Sequence, residues 1–223
     1  MLEENGNDRS AVKSFSYFIF NKPWDVLCQF TGGGRRRTLA DFGPFPPSVY
    51  PAGRLDADSE GLVLLTDDGA LKHDLLDPDH GHPRTYWAEV ERIPSADALR
   101  RLGEGVLIEG RTTAPAQALL LQPAPALWER PVPVRFRKQV PTQWLELTIT
   151  EGRNRQVRKM TAAVGYPTLR LVRIAIGPVR LGDLTPGESR PLTRTEIGAL
   201  RSVLGGKAEF KKNNRRKARW NAH

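Results

Sequence analysis

The 223 residues suffice for one good-sized domain, or a core with a small satellite, and a sizeable apolar core is within reach at that length. With 39% apolar and 26% charged residues, wholesale disorder is excluded. So is a disulfide framework, because Cys28 is the single cysteine and fits a reducing compartment. The net charge of +9 is the unusual quantity.

The chain opens on MLEENGNDRS, polar and partly acidic, unlike the basic start and apolar stretch of a secretion signal. A cytoplasmic protein is expected, with residues 1–14 as a polar N-terminal tail. Phe15 to Phe20 is aromatic and β-branched and reads as a strand closed by Asn21-Lys22-Pro23. Arg35-Arg36-Arg37 after three glycines is a basic loop, and 43–51 a proline-rich connection. Gly61 to Thr66 is a short apolar strand, followed by a helix to Leu76 with Asp67 and Asp68 at its start. Arg84 to Glu91 alternates as a strand, and Ser95 caps a helix to about Leu102. The longest uncharged run, 112–128, is broken by Pro115, Pro123 and Pro125 and does not read as a membrane span.

Ala116 to Leu121 and Trp144 to Thr150 are further strands, the second with Leu145, Leu147 and Ile149 on one face. Asn154 to Val164 reads as a helix whose Val157, Met160 and Val164 pack while Arg155, Arg158 and Lys159 point away. Leu169 to Ile176 returns to strand, and Thr193 with Glu196 forms a capping box opening a last helix to about Leu204. Strands outnumber helices without βαβ alternation, so the class is α+β with a mixed, mostly antiparallel sheet. Residues 15–204 form the body, and 205–223 a basic tail expected to be disordered alone. That tail holds seven basic residues and one acidic, so the body carries only +3. The tail and the cluster Arg153, Arg155, Arg158, Lys159, Arg170 and Arg173 make nucleic acid the leading partner class.

The densest chemical signal is Gly53-Arg54-Leu55-Asp56-Ala57-Asp58-Ser59-Glu60-Gly61-Leu62, an acidic, glycine-bracketed loop entering an apolar strand. A calcium loop is disfavoured because Leu64 occupies a ligand position and a strand fills the second half. An aspartyl-phosphate nucleophile would need an apolar strand leading into the first Asp, and Pro51-Ala52-Gly53-Arg54 is not one. A nucleophile or base working on RNA is the third reading. Glu151-Gly152-Arg153-Asn154-Arg155-Gln156-Val157-Arg158 sharpens it, since the arginines at that helix start suit phosphate and could pair with a loop carboxylate. Asp77, Asp79, His80 and His82 are irregularly spaced and read as a polar loop rather than metal ligands. Cys28 reads as a small buried hydrophobe.

Tyr17-x-x-x-Asn21-Lys22-Pro23, the Gly-Arg-Leu-Asp block at 53–62, Arg84-Thr85-Tyr86 and Glu151-Gly152-Arg153-x-Arg155-Gln156-Val157-Arg158 together resemble the ordered motifs of the RsuA-type RNA pseudouridine synthases. The resemblance spans 17–178 and implies the pseudouridine synthase fold, with a central cleft. It also implies an isomerase that converts one uridine of 23S ribosomal RNA to pseudouridine without cofactor or metal. A monomer is expected. Members often carry an N-terminal S4 domain; the motifs here begin by residue 17, so none is expected.

By that resemblance Asp56 is the catalytic aspartate, Tyr86 stacks on the uracil, Arg158 pairs with Asp56, and Leu171 packs under the site. The target must be flipped out of its stack, and Arg54, Arg153, Arg155, Lys159 and Lys22 are the candidate phosphate contacts. Asp58 and Glu60 are expected to organise the loop. The competing class is a non-catalytic rRNA-binding or ribosome-assembly protein using the same basic surfaces.

Overall fold

The structure, a computed structural model, describes residues 14–134 and 139–205. The expected tails at 1–14 and 205–223 lie outside these residues, apart from Ser14 and Gly205.

Apolar alternation builds the central sheet. Tyr17–Lys22 (β1) sends Ile19 to one face and Phe20 to the other, and both are fully buried. Tyr50–Pro51 (β2) is a short edge piece, and Glu60–Thr66 (β3) is buried along its whole length. Val63 and Leu65 join one core cluster while Leu62 and Leu64 join the other. A strand covered on both faces requires the near-continuous run Gly-Leu-Val-Leu-Leu-Thr. Arg84–Glu91 (β4) occupies its expected range and buries Tyr86, Ala88 and Val90.

Helix α1, Gly69–Leu76, is capped by Asp68, whose carboxylate accepts from the amides of Ala70 and Leu71. Helix α2, Ala96–Glu104, is capped by Ser95. Leu107–Ile108 (β5) and Arg111–Thr112 (β6) form a small hairpin, followed by Gln117–Leu120 (β7) and Thr142–Ile149 (β8). On β8 the face of Leu145, Leu147 and Ile149 is buried, as its alternation implies.

Helix α3, Gln156–Ala163, begins two residues later than its periodicity suggests. Arg155 stands before it in the left-handed region at φ +50, and Gln156 ties back by accepting from the Arg153 amide. Thr168–Ile176 (β9), Val179–Arg180 (β10) and Ser189–Pro191 (β11) complete the sheet. A last helix, α4, covers 194–205. The Thr193–Glu196 capping box is formed: the Glu196 amide donates to Thr193 Oγ1 at 3.1 Å and the Thr193 amide to Glu196 Oε2 at 2.8 Å.

The nine-stranded sheet runs β11-β1-β3-β9-β4-β8-β7, with β2 and β10 paired to β3 and β9. The β3–β9 pairing is parallel and the other strand pairings of this sheet are antiparallel, so the α+β, mostly antiparallel class holds. One face packs under α2 and α3 through Leu102, Val157 and Met160. The other packs under α1 and α4 through Leu71, Leu75, Leu200 and Leu204. Among the described residues no helix is long and apolar enough to cross a membrane.

Candidate active site

The 53–59 loop is held where the parallel pair β3–β9 begins. Gly61 lies at φ +99, and a Cβ there would sit 2.3 Å from the Arg173 carbonyl oxygen and 2.8 Å from its nitrogen. Both the positive φ and the close backbone approach therefore require glycine. Upstream, the Ser59 amide donates to the Asp56 carbonyl at 3.1 Å, turning the loop so that the Asp56 carboxyl is partly open to solvent.

The Ala57 carbonyl is clamped from β1 and the turn after it, accepting from the Asp25 amide at 2.8 Å and from Lys22 Nζ at 3.3 Å. Lys22 Nζ also donates to Pro23 and Val26 carbonyls at 2.8 and 2.9 Å. Its side chain is fully buried, and burial lowers its pKa to about 8 against the weaker upward pull of Cys28, Glu60, Asp58 and Asp25. This corrects its assignment as a phosphate contact. A strand-end lysine adjoining a proline turn is usually solvated, but here the loop closes over it and uses all three donors.

Two arginines meet this loop. Arg155 donates to both Asp58 carboxylate oxygens at 3.0 and 2.8 Å and to Asp56 Oδ2 at 3.4 Å. Arg158 instead donates to the Asp58 carbonyl at 2.9 Å and the Thr168 carbonyl at 3.1 Å, with Nη2 3.5 Å from Asp58 Oδ2. The resemblance implies that Arg158 pairs with Asp56; the structure gives that pairing to Arg155, and Arg158 secures the loop two residues further on. The left-handed Arg155 swings its side chain across to the carboxylates, whereas Arg158 lies beneath them, spanning from the loop to β9. Burial raises the Asp58 carboxyl, but the Arg155 hydrogen bond and the charges of Arg158 and Arg155 outweigh it and leave it below the usual carboxylate range. Asp58 thus organises the arginines.

Glu60 does a different job. It is buried and accepts from Arg170 Nε and Nη2, both at 2.9 Å, and from Trp128 Nε1 at 2.8 Å. Arg170 is itself buried, so that member of the basic cluster counted from sequence is structural. Arg173, also buried, donates Nε to the Leu62 carbonyl at 2.8 Å but lines the cleft, and its Nη2 has no hydrogen-bond partner among the described residues.

Asp56 and Tyr86 line one cleft of about 400 Å³ together with Arg54, Arg153, Arg155 and Leu171. Tyr86 is nearly buried, opposite Leu147 on β8 and Arg173 on β9. Arg84 also lines the cleft, donating to the Leu75 carbonyl at 3.1 Å, with its pKa lowered by burial. Its place in the cleft was not among the site residues expected from sequence, although standing two residues before Tyr86 on an alternating strand puts it on the same face.

Among the remaining candidates, Arg153 lines the cleft while donating to the Ile108 and Arg111 carbonyls of the β5–β6 hairpin. Lys159 is paired with Glu109 at 2.6 Å. Arg54 is exposed and makes no ion pair among the described residues. Cys28 is buried, and burial pushes its thiol up. Among the described residues no group of three or more His, Cys, Asp or Glu is arranged to hold a metal.

The carboxylates of Asp56 and Asp77, one nearly buried tyrosine and several guanidiniums around a nucleotide-sized cleft suit an enzyme that acts on a polyanion. Residues 16–163 match the family model described as RNA pseudouridylate synthase, and the chain belongs to that family. It is therefore an isomerase, which decides against a non-catalytic RNA-binding protein.

The chain is 58% identical over 170 residues to the ribosomal large subunit pseudouridine synthase E of Xanthomonas axonopodis pv. citri, covering 75% of this chain and 89% of that protein. It is 52% identical over 192 residues to the protein of the same name from Vibrio vulnificus, covering 84% of this chain and 81% of that one. Among solved structures it resembles a crystal structure of a pseudouridylate synthase at TM-score 0.70 and 33% identity, covering 85% of this chain and 75% of the other.

Proposed function

We propose that this chain isomerises a uridine of large-subunit (23S) ribosomal RNA to pseudouridine, with Asp56 as the group that acts on the sugar. The observation that carries the reading is the Asp56 carboxylate at the mouth of a cleft that also holds Tyr86, fixed there by a loop clamped at Ala57 and by the Arg155 guanidinium. The names of the relatives support the substrate class.

The reaction breaks the N1–C1′ bond, turns the uracil, and rejoins it through C5 with loss of the C5 proton. A carboxylate serves by attacking the sugar carbon or by removing a proton, and either route makes Asp56 indispensable. The base must leave its stack to enter the cleft, at a cost of a few kcal/mol, which contacts from the cleft-lining arginines to phosphate offset. Tyr86 provides the ring against which the uracil lies. Arg158 acts at one remove by fixing the Asp58 carbonyl. The protein works as a monomer.

The test is tritium release from 23S rRNA labelled at uridine C5. Asp56→Asn is expected to abolish release while keeping the fold and RNA binding; full activity in that variant overturns the reading. Mapping pseudouridine in 23S rRNA with and without the protein identifies the site.

A further inference from the structure

We propose that a second groove beside the cleft is a nucleobase subsite, where an unpaired base neighbouring the modified uridine stacks on Tyr50. The inference rests on the reading that RNA occupies the cleft. The groove has a volume of about 800 Å³ and shares Gly53, Arg54 and Leu76 with the cleft, so a single strand can pass from one to the other. β2 carries Tyr50 straight into the Asp56 loop.

Three rings build the wall. Phe30 meets Phe45 at 5.8 Å and 72°, and meets Tyr50 at 6.3 Å and 87°, so edge-on packing fixes the platform. Tyr50 nonetheless remains 54% exposed, a large aromatic surface left open in a family that binds RNA. Two cations flank it: Lys72 Nζ lies 5.5 Å from the Tyr50 ring centroid, and Arg54 stands exposed at the junction of groove and cleft. Aromatic platforms with adjacent cations are the chemistry of single-stranded RNA, the rings taking a base and the cations its phosphates. Flipping the target also strips its neighbour of one stacking partner, and Tyr50 replaces it.

The experiment uses the full chain with Tyr50→Ala, Tyr50→Phe and Lys72→Ala. Affinity for fluorescein-labelled single-stranded heptauridylate is read by anisotropy, and KM and kcat by tritium release from a C5-labelled 23S transcript. Tyr50→Ala is expected to raise Kd and KM about 5- to 100-fold, the loss of one base–aromatic stack, with kcat held and the melting temperature unchanged. Tyr50→Phe is expected to restore both to within about twofold, and Lys72→Ala to make the salt dependence of Kd shallower by about one charge. Unchanged Kd and KM in Tyr50→Ala, or an equal loss in Tyr50→Phe, overturns the subsite. Failure of the wild-type chain to release tritium overturns the catalytic reading instead, and the anisotropy comparison still decides the groove.

Discussion

The pair Glu60–Arg170 offers a quantitative test of how the loop carrying Asp56 is anchored. Both side chains are buried, Glu60 at 1% and Arg170 at 10% exposure, and two parallel hydrogen bonds at 2.9 Å join them. Arg170→Met leaves the Glu60 carboxylate in the interior with Trp128 Nε1 at 2.8 Å and Arg130 Nε at 3.6 Å as its remaining partners. Removing one member of a buried pair typically costs about 3–5 kcal/mol, because the other charge is left without adequate compensation. For a chain of this size each kcal/mol moves the melting temperature by roughly 2–4 °C, so a fall of about 6–20 °C is expected. Glu60→Gln combined with Arg170→Met removes both charges while keeping an acceptor for the Trp128 indole, but leaves the nearly buried Arg130 guanidinium without its carboxylate, and is expected to recover only part of the loss. Urea unfolding of wild type, both single variants and the double variant gives the coupling directly. A double variant no more stable than Arg170→Met alone, or a cost below about 1 kcal/mol for Arg170→Met, refutes the reasoning, the latter being what an exposed bridge would give.

Lys22 sets a pH dependence with a defined sign. Its folded pKa of about 8 lies below its ordinary value of 10.5, so between these values the unfolded chain binds the extra proton and stability rises with pH. The wild-type stability relative to Lys22→Met is expected to increase by up to about 3 kcal/mol from below pH 8 to above pH 10.5; parallel denaturation profiles for the two proteins would count against it. Deleting residues 205–223 removes a net +6 and is expected to weaken 23S rRNA binding and flatten its salt dependence, read by titration at several ionic strengths. A change in which uridine is modified would show that the tail takes part in site choice.

The long elements were legible because they carry a period or a cap. β4 alternates along its whole length, Asp68 and Ser95 cap α1 and α2, and Thr193 with Glu196 opens α4. The two- and three-residue strands β2, β5, β6, β10 and β11 were not, since a pair of residues carries no period and exists only because a neighbouring strand supplies partners. The start of α3 was displaced for a local reason: Arg155 adopts a left-handed conformation that helical spacing does not register. The motif blocks brought Asp56 and Tyr86 to one cleft, yet the partner of the Asp56 carboxylate went to Arg155, because a linear motif does not record which of two arginines three residues apart crosses a gap to a loop about 100 residues away. Lys22 and Arg170 were misjudged for one cause. A charged residue on a strand has a strong prior for solvent, and only the tertiary arrangement reveals three carbonyls around one and a buried carboxylate opposite the other.

These placements change what the basic charge means for function. Arg170 and Arg173 are buried, Arg155 and Arg158 are drawn to Asp58, and Lys159 is held by Glu109, so little of the cluster between 153 and 173 is free to attract RNA from a distance. Its work is geometric: the guanidiniums fix the loop that carries Asp56, and on the proposed mechanism a carboxylate so fixed would meet the sugar carbon without having to be organised during the reaction. On the proposed reading, capture of the strand falls to groups that are not already spoken for, among them Arg54 at the lip of the cleft and the open ring of Tyr50 beside it, so that affinity and chemistry rest on different residues. Variants of the first kind should move KM and variants of the second kcat, and that separation makes both readings of the site independently testable.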